Sequence, residues 1–453
     1  METHEPMSPV TLRKAMSLFI YISSAAVVAC ALVSHAGAMA ALLLMLLIEL
    51  GLQGSLQVFR SMPALGNLLI AGLAAISAIR IIARTQQPLA GYFNRVSVSV
   101  FVIFAWSWVS LLWTPAESLP AGRELSATGS YILIEALPYF LVFVVMAPVL
   151  VRTLSDWERV CRYMLWLGPL VALAIVLNPE FAVKQGRLGT SIDGAVRTSP
   201  LAMSQAGGMI AIFGALAYSG TGNRAAMLAR IASFGAGTAV VLLSGTRGQA
   251  IFEFVAIIAG IPVARQVRST KTFISIGIGL LFMVVSASWL FDFAMSQTDS
   301  DRWTSDAIVS GTATRFANIE DLVSAFISSP VALIFGLGSN AFSAVSGRVG
   351  EGYSHNIFFD LLCEQGIPIF ILFCFACMSA LRSGRLMLQN YSEDPAKRSA
   401  LGILFAMELF SLMIAGKEGN LWSSWNVFLF LMITARMSCE DNTASQEPMA
   451  SYN

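Results

Sequence analysis

The chain has 453 residues, of which 56% are hydrophobic and 12% are charged, and its formal net charge is +1. Because soluble domains carry roughly 25% charged residues, this composition excludes a water-soluble globular protein. The basic residues are spread through short loops, which also speaks against nucleic acid or an acidic protein as a partner.

Apolar runs recur from residue 16 almost to the C-terminus, and most approach the ~20 residues that a membrane helix needs. Helices satisfy the backbone of such runs within lipid, so we predict an all-α fold, a polytopic membrane helix bundle in a single membrane domain, residues 1–453. The crowded first three runs leave 12 or 13 spans, and we favour about 12 because one of these three is expected to be incomplete. The runs lie at 16–34, 37–59, 63–83, 96–114, 131–151, 160–178, 200–219, 228–245, 248–264, 273–295, 357–380, 400–416 and 421–438.

Basic residues cluster in alternate loops, which predicts that these loops share one side of the membrane. By the positive-inside rule that side is cytoplasmic. The loops 245–248, 296–356 and 417–420 then face outward, which in a bacterium means toward the periplasm or the cell exterior. The clusters are Arg80/Arg84/Arg95, Arg152/Arg159/Arg162, Arg224/Arg230, Arg265/Arg268/Lys271 and Arg382/Arg385/Lys397/Arg398.

The longest outward loop, 296–356, is too long for an ordinary connection and is therefore predicted to be functional. Residues 313–326 (ATRFANIEDLVSAF) place apolar residues at helical spacing with charges between them, which predicts an amphipathic helix within this loop. A large, partly helical outer loop is thus part of the predicted fold.

His355 lies where this loop meets the next span. A helix N-terminus disfavours imidazolium, so an imidazole there can accept a proton. The alternative is that Ser354 or Asn356 caps the helix and His355 is an interfacial polar residue.

Several arginines stand on the side from which positive charge is usually excluded. Arg247 begins a predicted helix, where free N–H groups and a guanidinium together favour phosphate oxygens. Arg315 lies in the large loop, and Arg187 lies in another outer loop. Together they suggest an anionic ligand, although a single arginine is also explained by snorkelling to lipid headgroups.

Other carboxylates allow rival interpretations. Asp299 and Asp301 resemble a metal-binding D-x-D, but this spacing is common in turns, so no metal site is predicted. Three glutamates within apolar runs, where a carboxyl is costly, would suit a proton-coupled transporter. These are Glu49, Glu253 and Glu408.

Four stretches of the chain resemble motifs of one family. They are residues 186–190 (GRLGT), 244–248 (SGTRG), 335–338 (FGLG), and 353–360 (YSHNIFFD) followed by 364–367 (EQGI). In this order and spacing, with Arg315 between the second and third, they resemble the O-antigen ligase and polysaccharide polymerase superfamily of bacterial membrane glycosyltransferases. Thr246 departs from the pattern, because a second serine often stands there.

The resemblance implies a metal-independent, inverting glycosyltransferase without a cofactor, in the bacterial inner membrane with its active site facing the periplasm. Such an enzyme moves a glycan from undecaprenyl diphosphate to a sugar hydroxyl. His355 would be the catalytic base, and Arg247 and Arg315 would bind the diphosphate. Tyr353 and Asn356 are possible orienting residues, and Arg187 is a possible contact to phosphate or glycan.

The acceptor separates two activities with the same chemistry. A lipid A-core sugar would make the protein an O-antigen ligase of lipopolysaccharide synthesis, which we favour for the single large outer loop. A second lipid-linked repeat would make it a polymerase of O-antigen or exopolysaccharide. A transporter or flippase of lipid-linked sugars is the rival from another class, although the halves of the chain show no internal repeat.

Overall fold

The structure, a computed structural model, is almost entirely helical in the residues that it describes. These are residues 9–55, 57–62, 65–85, 89, 91–115, 136–177, 181–184, 187–192, 195–196, 199–220, 222–265, 270–271, 274–275, 278–279, 305–346 and 354–446. The first helices are α1 (Pro9–Val33), α2 (His35–Ser55), α3 (Gln57–Ser61), α4 (Leu65–Arg84), α5 (Arg95–Ser110), α6 (Leu137–Leu150), α7 (Leu154–Val176), α8 (Pro200–Leu216), α9 (Arg224–Leu243) and α10 (Arg247–Ala264). The later helices are α11 (Ser305–Ser328), α12 (Pro330–Phe335), α13 (Phe342–Ser346), α14 (Ile357–Phe359, continued by a π-helical turn, Asp360–Glu364), α15 (Ile367–Asn390), α16 (Pro395–Glu418) and α17 (Trp425–Gln446).

Six described helices are long and apolar enough to cross a membrane, namely α2, α4, α7, α9, α15 and α16. Five shorter apolar helices accompany them: Leu18–Val33 within α1, then α5, α6, α8, and Gly248–Ala264 within α10. The predicted helical class and apolar character are therefore confirmed, and they are compatible with a membrane protein.

One short stretch departs from the all-helical prediction. The strands β1 (Phe181–Lys184), β2 (Arg187–Ile192) and β3 (Ala195–Val196) form an antiparallel sheet in the order β1-β2-β3. Phe181 lies opposite Thr190, and Ser191 lies opposite Val196. The helical prediction came from long apolar runs, so it carried no information about this short connecting segment between α7 and α8.

The chain forms two compact units. Unit 1 consists of Met1–Ile81, Ser155–Arg302 and Glu393–Ala406, and unit 2 consists of Ile82–Leu154, Trp303–Ser392 and Met407–Asn453. Within unit 1, α8 and α9 pack backbone to backbone, because a β-carbon at Gly237 would lie 2.5 Å from the Gly207 carbonyl oxygen. Small residues at such a crossing let apolar helices approach closely where hydrophobic burial cannot drive their association.

At one end of unit 1, arginine side chains donate hydrogen bonds to the last carbonyl groups of helices. Arg230 donates to the carbonyls of Gly214 and Ala215 at the end of α8, at 3.2 and 2.8 Å. Arg398 donates to Val263 at the end of α10, at 3.0 Å. A positive charge at a helix C-terminus is favourable because it faces the negative end of the helix dipole.

Unit 2 contains the helices of the long polar loop 296–356. The fully buried Leu322 of α11 and Phe342 of α13 form a small core with Ala332 of α12 and with Cys363. The amphipathic helix predicted over 313–326 is thus confirmed as part of α11, and its apolar face packs on the π-helical turn. A span was expected to begin at 357, but Gly366 interrupts it, and the long helix α15 starts at Ile367.

Candidate functional site

The predicted site residue His355 directly precedes Asn356, the N-cap of α14, and has a left-handed backbone conformation with φ +64°. Such a conformation is uncommon for a residue with a side chain and costs of the order of 1–3 kcal/mol. The residue therefore occupies a strained position, which its neighbours must hold in place.

Both neighbours of His355 are anchored. Ser354 is fully buried, and its hydroxyl donates to Asp360 Oδ1. Asn356 caps α14, because its Oδ1 accepts hydrogen bonds from the backbone N–H of Phe358 at 3.0 Å and of Phe359 at 3.4 Å. The capping alternative for Asn356 is thus confirmed. The half-buried His355 side chain is held at a helix start by anchors on either side, and its catalytic role stays a prediction.

Two buried carboxyl groups, Asp360 and Glu364, lie on the π-helical turn that follows His355 in the chain. Burial raises the pKa of Asp360 well above its ordinary value, and the charge of Glu364 raises it further, against the hydrogen bond from Ser354. Burial raises the pKa of Glu364 to about 7, against the backbone N–H groups that its oxygens accept. Oε2 accepts from Asn340 N at 2.8 Å and Oε1 from Phe342 N at 3.1 Å, so Glu364 holds the start of α13.

The raised pKa of Glu364 predicts a pH dependence of stability. The folded state holds this proton more tightly than the unfolded chain, so the stabilisation is complete below an ordinary pKa near 4.5 and is lost as the pH rises through about 7. The loss amounts to up to about 3 kcal/mol. We expect the thermal unfolding midpoint in detergent to fall between pH 4.5 and 8, and to fall less in Glu364→Gln.

Glu320→Gln is the matched control, because Glu320 is exposed on α11. Its unfolding midpoint should follow the pH profile of the unchanged protein. An unaltered profile in Glu364→Gln would contradict this assignment, since Asp360 is present in both proteins.

The glycine-rich segment after α12 runs against the residues that follow α14. Leu337 N donates to the Cys363 carbonyl at 2.9 Å, and Gly338 N donates to the Glu364 carbonyl at 3.0 Å. Gly336 has φ +79° and lies so close to Glu364 that a β-carbon would overlap the Glu364 carbonyl oxygen. Glycine at position 336 therefore has a structural reason, independent of any motif.

A buried cluster of hydroxyl and amide groups fastens this segment to α5, and sequence reasoning did not find it. Ser339 N donates to Ser110 Oγ at 3.0 Å, and Ser339 Oγ donates to the Ser107 carbonyl at 2.8 Å. Gln365 Nε2 donates to Ser339 Oγ at 2.9 Å, while Gln365 Oε1 accepts from Ser110 Oγ at 3.2 Å. Isolated small polar residues in an apolar run give no signal of partners so distant in the chain.

Indole groups line the same region. Trp106 Nε1 donates to the Gln365 carbonyl at 3.1 Å, and Trp113 Nε1 donates to the Gly336 carbonyl at 3.3 Å. Both rings also contact Phe335, whose side chain is largely exposed. Amphipathic rings of this kind are typical of the zone between the lipid core and water.

The predicted diphosphate ligand Arg315 lies beside charges that sequence reasoning missed. Arg315 Nη2 is 3.8 Å from Glu418 Oε1, and Lys417 Nζ donates to the same oxygen at 2.5 Å. Glu418 is nearly buried, whereas Arg315 is about a third exposed, with 36% of its side chain accessible. Two cations share one carboxylate here, so the group carries a net charge of +1. The available signal was the adjacent lysine and glutamate at positions 417 and 418, which the structure places at the end of α16.

The end of α16 brings this charged group close to the start of α14. Gly416 faces the ring of Phe358, and a β-carbon at Gly416 would lie 2.8 Å from Cε2 of that ring. Helix α11, which carries Arg315, also contacts Ile357–Phe359. Helix α11 and the end of α16 therefore meet beside the helix that His355 precedes.

Arg247 lies in unit 1 as the first residue of α10, so the predicted helix start is confirmed. Thr246 occupies the N-cap position of this helix, but its side chain makes no cap hydrogen bond. The Thr246 hydroxyl instead pairs with Ser244 Oγ at 2.9 Å. The side chain of Arg247 lies outside the described residues, and its role stays a prediction.

Several other predicted site residues also lack a described side chain. Tyr353, Asp299 and Asp301 lie outside the described residues, and Arg187 lies in a strand of which the backbone alone is described. Across the described part of the chain, no group of three or more histidine, cysteine, aspartate or glutamate side chains could hold a metal ion.

The three glutamates that a transporter would use have hydrogen-bond donors beside them. Thr238 Oγ1 donates to Glu253 at 2.6 Å, Thr434 Oγ1 donates to Glu408, and Gln53 Nε2 donates to Glu49 at 3.0 Å. Each pair joins residues of neighbouring helices or of one helix. A structural role in fastening neighbouring helices is therefore sufficient for Glu253 and Glu408, whereas the Glu49 hydrogen bond lies within one helix.

Fold and site together define a helical protein with apolar, membrane-length helices and a polar site at the start of one helix. No protein-family model and no curated protein matches the chain.

Proposed function

We propose that this protein is a membrane glycosyltransferase of the O-antigen ligase type, which moves a glycan from undecaprenyl diphosphate to a sugar hydroxyl. The observation that carries the proposal is the backbone of His355, left-handed and fixed between the buried Ser354 and the capping Asn356. Strained, polar residues held this firmly are characteristic of catalytic positions.

In this proposal His355 takes the proton of the acceptor hydroxyl. The acceptor oxygen bonds to the anomeric carbon on the face opposite the diphosphate, so the configuration inverts. The bond from that carbon to the diphosphate oxygen breaks, and its electron pair remains on the diphosphate. No metal is required, because cationic side chains stabilise the charge that develops on the leaving group.

Arg315 and Lys417 are the described cations that suit this second role. Both cations pair with Glu418. A diphosphate that displaces one of them gains a charge-assisted contact, and the Glu418 carboxylate keeps the other cation as its partner. Arg247 completes the proposed diphosphate ligands as a prediction from its motif and helix start. Arg187 and Tyr353 stay predicted substrate contacts.

The proposal includes a bundle of about 12 spans in the bacterial inner membrane, with the site facing the periplasm. The large outer loop and the loop 417–420 meet in unit 2, as expected for loops on one side of a membrane. The basic loops would then face the cytoplasm by the positive-inside rule.

The decisive experiment supplies purified protein with undecaprenyl-diphosphate glycan and two acceptors in parallel, lipid A-core and a second lipid-linked repeat, with EDTA present. Transfer to lipid A-core identifies a ligase, and longer lipid-linked chains identify a polymerase with the same chemistry. Transfer to neither acceptor would overturn the proposal, and activity only with added divalent metal would overturn its metal-free mechanism.

Lys417→Ala should weaken donor binding by about tenfold or more, because it removes a charge-assisted contact to the diphosphate. Glu418→Gln should instead strengthen donor binding, because it releases Arg315 and Lys417 from their shared carboxylate. Both are measured as the dissociation constant of the lipid-diphosphate donor. Equal weakening in the two variants would mean that Lys417 serves only to pair Glu418.

A further inference from the structure

A cavity of about 260 Å³ lies at the basic end of unit 1, between the start of α7, the end of α8 and the start of α16. Its walls are fastened together. Trp157 Nε1 donates to the Ala400 carbonyl at 2.9 Å, and Ser399 Oγ donates to the Leu216 carbonyl at 2.7 Å. Pockets for drug-sized ligands measure roughly 300–1,000 Å³, so this cavity suits a smaller group.

The cavity is lined by groups of opposite charge. Glu158 and Arg162 lie one helical turn apart on α7, and Tyr218, which follows α8, also lines the cavity. Glu158 Oε1 is buried, and no described residue donates a hydrogen bond to it. A buried acceptor without a donor costs about 1–3 kcal/mol, so this oxygen favours a ligand that brings one.

Positive charge predominates around the cavity. Arg265 donates to the carbonyl of the lining residue Ala217 at 3.3 Å. Lys397 lies 3.9 Å from Asp394 at the start of α16, beside the lining residue Ala396. With Arg162, three cations stand against the two anions Glu158 and Asp394, which favours a ligand that also carries negative charge.

We propose that this cavity binds a phosphoethanolamine group, either as the headgroup of a phospholipid or as the free compound. The ammonium donates to the Glu158 carboxylate, and the phosphate accepts from Arg162 and from the Tyr218 hydroxyl. Residues one turn apart on a helix have β-carbons about 5–6 Å from each other, a separation that the short linker between ammonium and phosphate spans. Basic pockets at the ends of membrane helices are known sites for lipid headgroups.

The test measures binding to the purified full chain by its thermal unfolding midpoint, with four probes: phosphatidylethanolamine, phosphatidylcholine, phosphatidylglycerol and soluble phosphoethanolamine. Phosphatidylethanolamine should raise the midpoint. Phosphatidylcholine should not, because its quaternary ammonium has no N–H, and phosphatidylglycerol should not, because it has no ammonium. A response to soluble phosphoethanolamine identifies the free compound as sufficient, and its absence assigns the site to lipid. An equal response to all three lipids would overturn the proposal.

Substitutions of lining residues test whether phosphatidylethanolamine binds in this cavity. Glu158→Gln should lower the affinity for phosphatidylethanolamine at least tenfold and remove the discrimination against phosphatidylcholine. The matched controls are Glu320→Gln and Arg224→Gln, whose side chains are exposed and do not line the cavity. If Glu158→Gln does not fold, Tyr218→Phe, which removes one hydroxyl, should weaken binding severalfold. Unchanged affinity in a folded Glu158→Gln or in Tyr218→Phe would overturn the proposed site.

Discussion

We expect His355→Ala to lower the rate of glycan transfer by about 100- to 10,000-fold, the range that a general base contributes. The affinity for the lipid-diphosphate donor should stay close to its original value, because the proposed diphosphate contacts belong to other side chains. Single-turnover transfer and equilibrium donor binding, measured on the same preparation, separate the two quantities.

Two further variants at position 355 separate the imidazole from its backbone. Asn tolerates the left-handed conformation better than most residues, so His355→Asn should fold normally and remain inactive. His355→Gly should be more stable by about 1 kcal/mol, because glycine adopts this conformation without strain, and it should also be inactive. Substantial transfer by either variant would mean that the backbone geometry, and not the imidazole, is what activity requires.

Gly366→Ala should lower the stability of the protein strongly. Gly366 has φ +88°, and a β-carbon there would overlap the Ile334 carbonyl oxygen and lie 2.9 Å from the Gly336 nitrogen. These are backbone atoms that no rotamer change can move. The left-handed conformation of alanine costs about 1–2 kcal/mol and the overpacking about 1–3 kcal/mol, so the free energy of unfolding should fall by roughly 2–5 kcal/mol.

Gly384→Ala is the matched control for this experiment, because it lies in the helix α15 that follows Gly366. Its nearest neighbour would be Thr434 Cγ2 at 3.6 Å, an ordinary contact, and alanine should stabilise the helix by up to about 1 kcal/mol. Thermal unfolding in detergent should therefore move in opposite directions in the two variants. A folded Gly366→Ala protein with an unchanged midpoint would contradict the close packing of α12 against the start of α15.

Local properties of the chain were sufficient for much of the architecture. Apolar runs predicted helices, the residue pattern of 313–326 predicted part of α11, and helix starts were correctly predicted at Arg247 and next to Asn356. Each of these depends on residues within a few turns of one another. Hydrophobic periodicity and helix capping depend on residues that are close together in the sequence. The sequence alone is therefore enough to predict them.

Tertiary structure decided how the site is assembled. Ser110 and Ser339 are 229 positions apart in the chain, and Arg315 of α11 lies beside Glu418 at the end of α16, although no sequence pattern connects them. Packing likewise decides three other features: the interruption of the expected span at Gly366, the left-handed conformation of His355 and the walls of the cavity. Hydrogen bonds and charge pairs between distant segments depend on which helices become neighbours, and this choice is made by the burial of the whole chain.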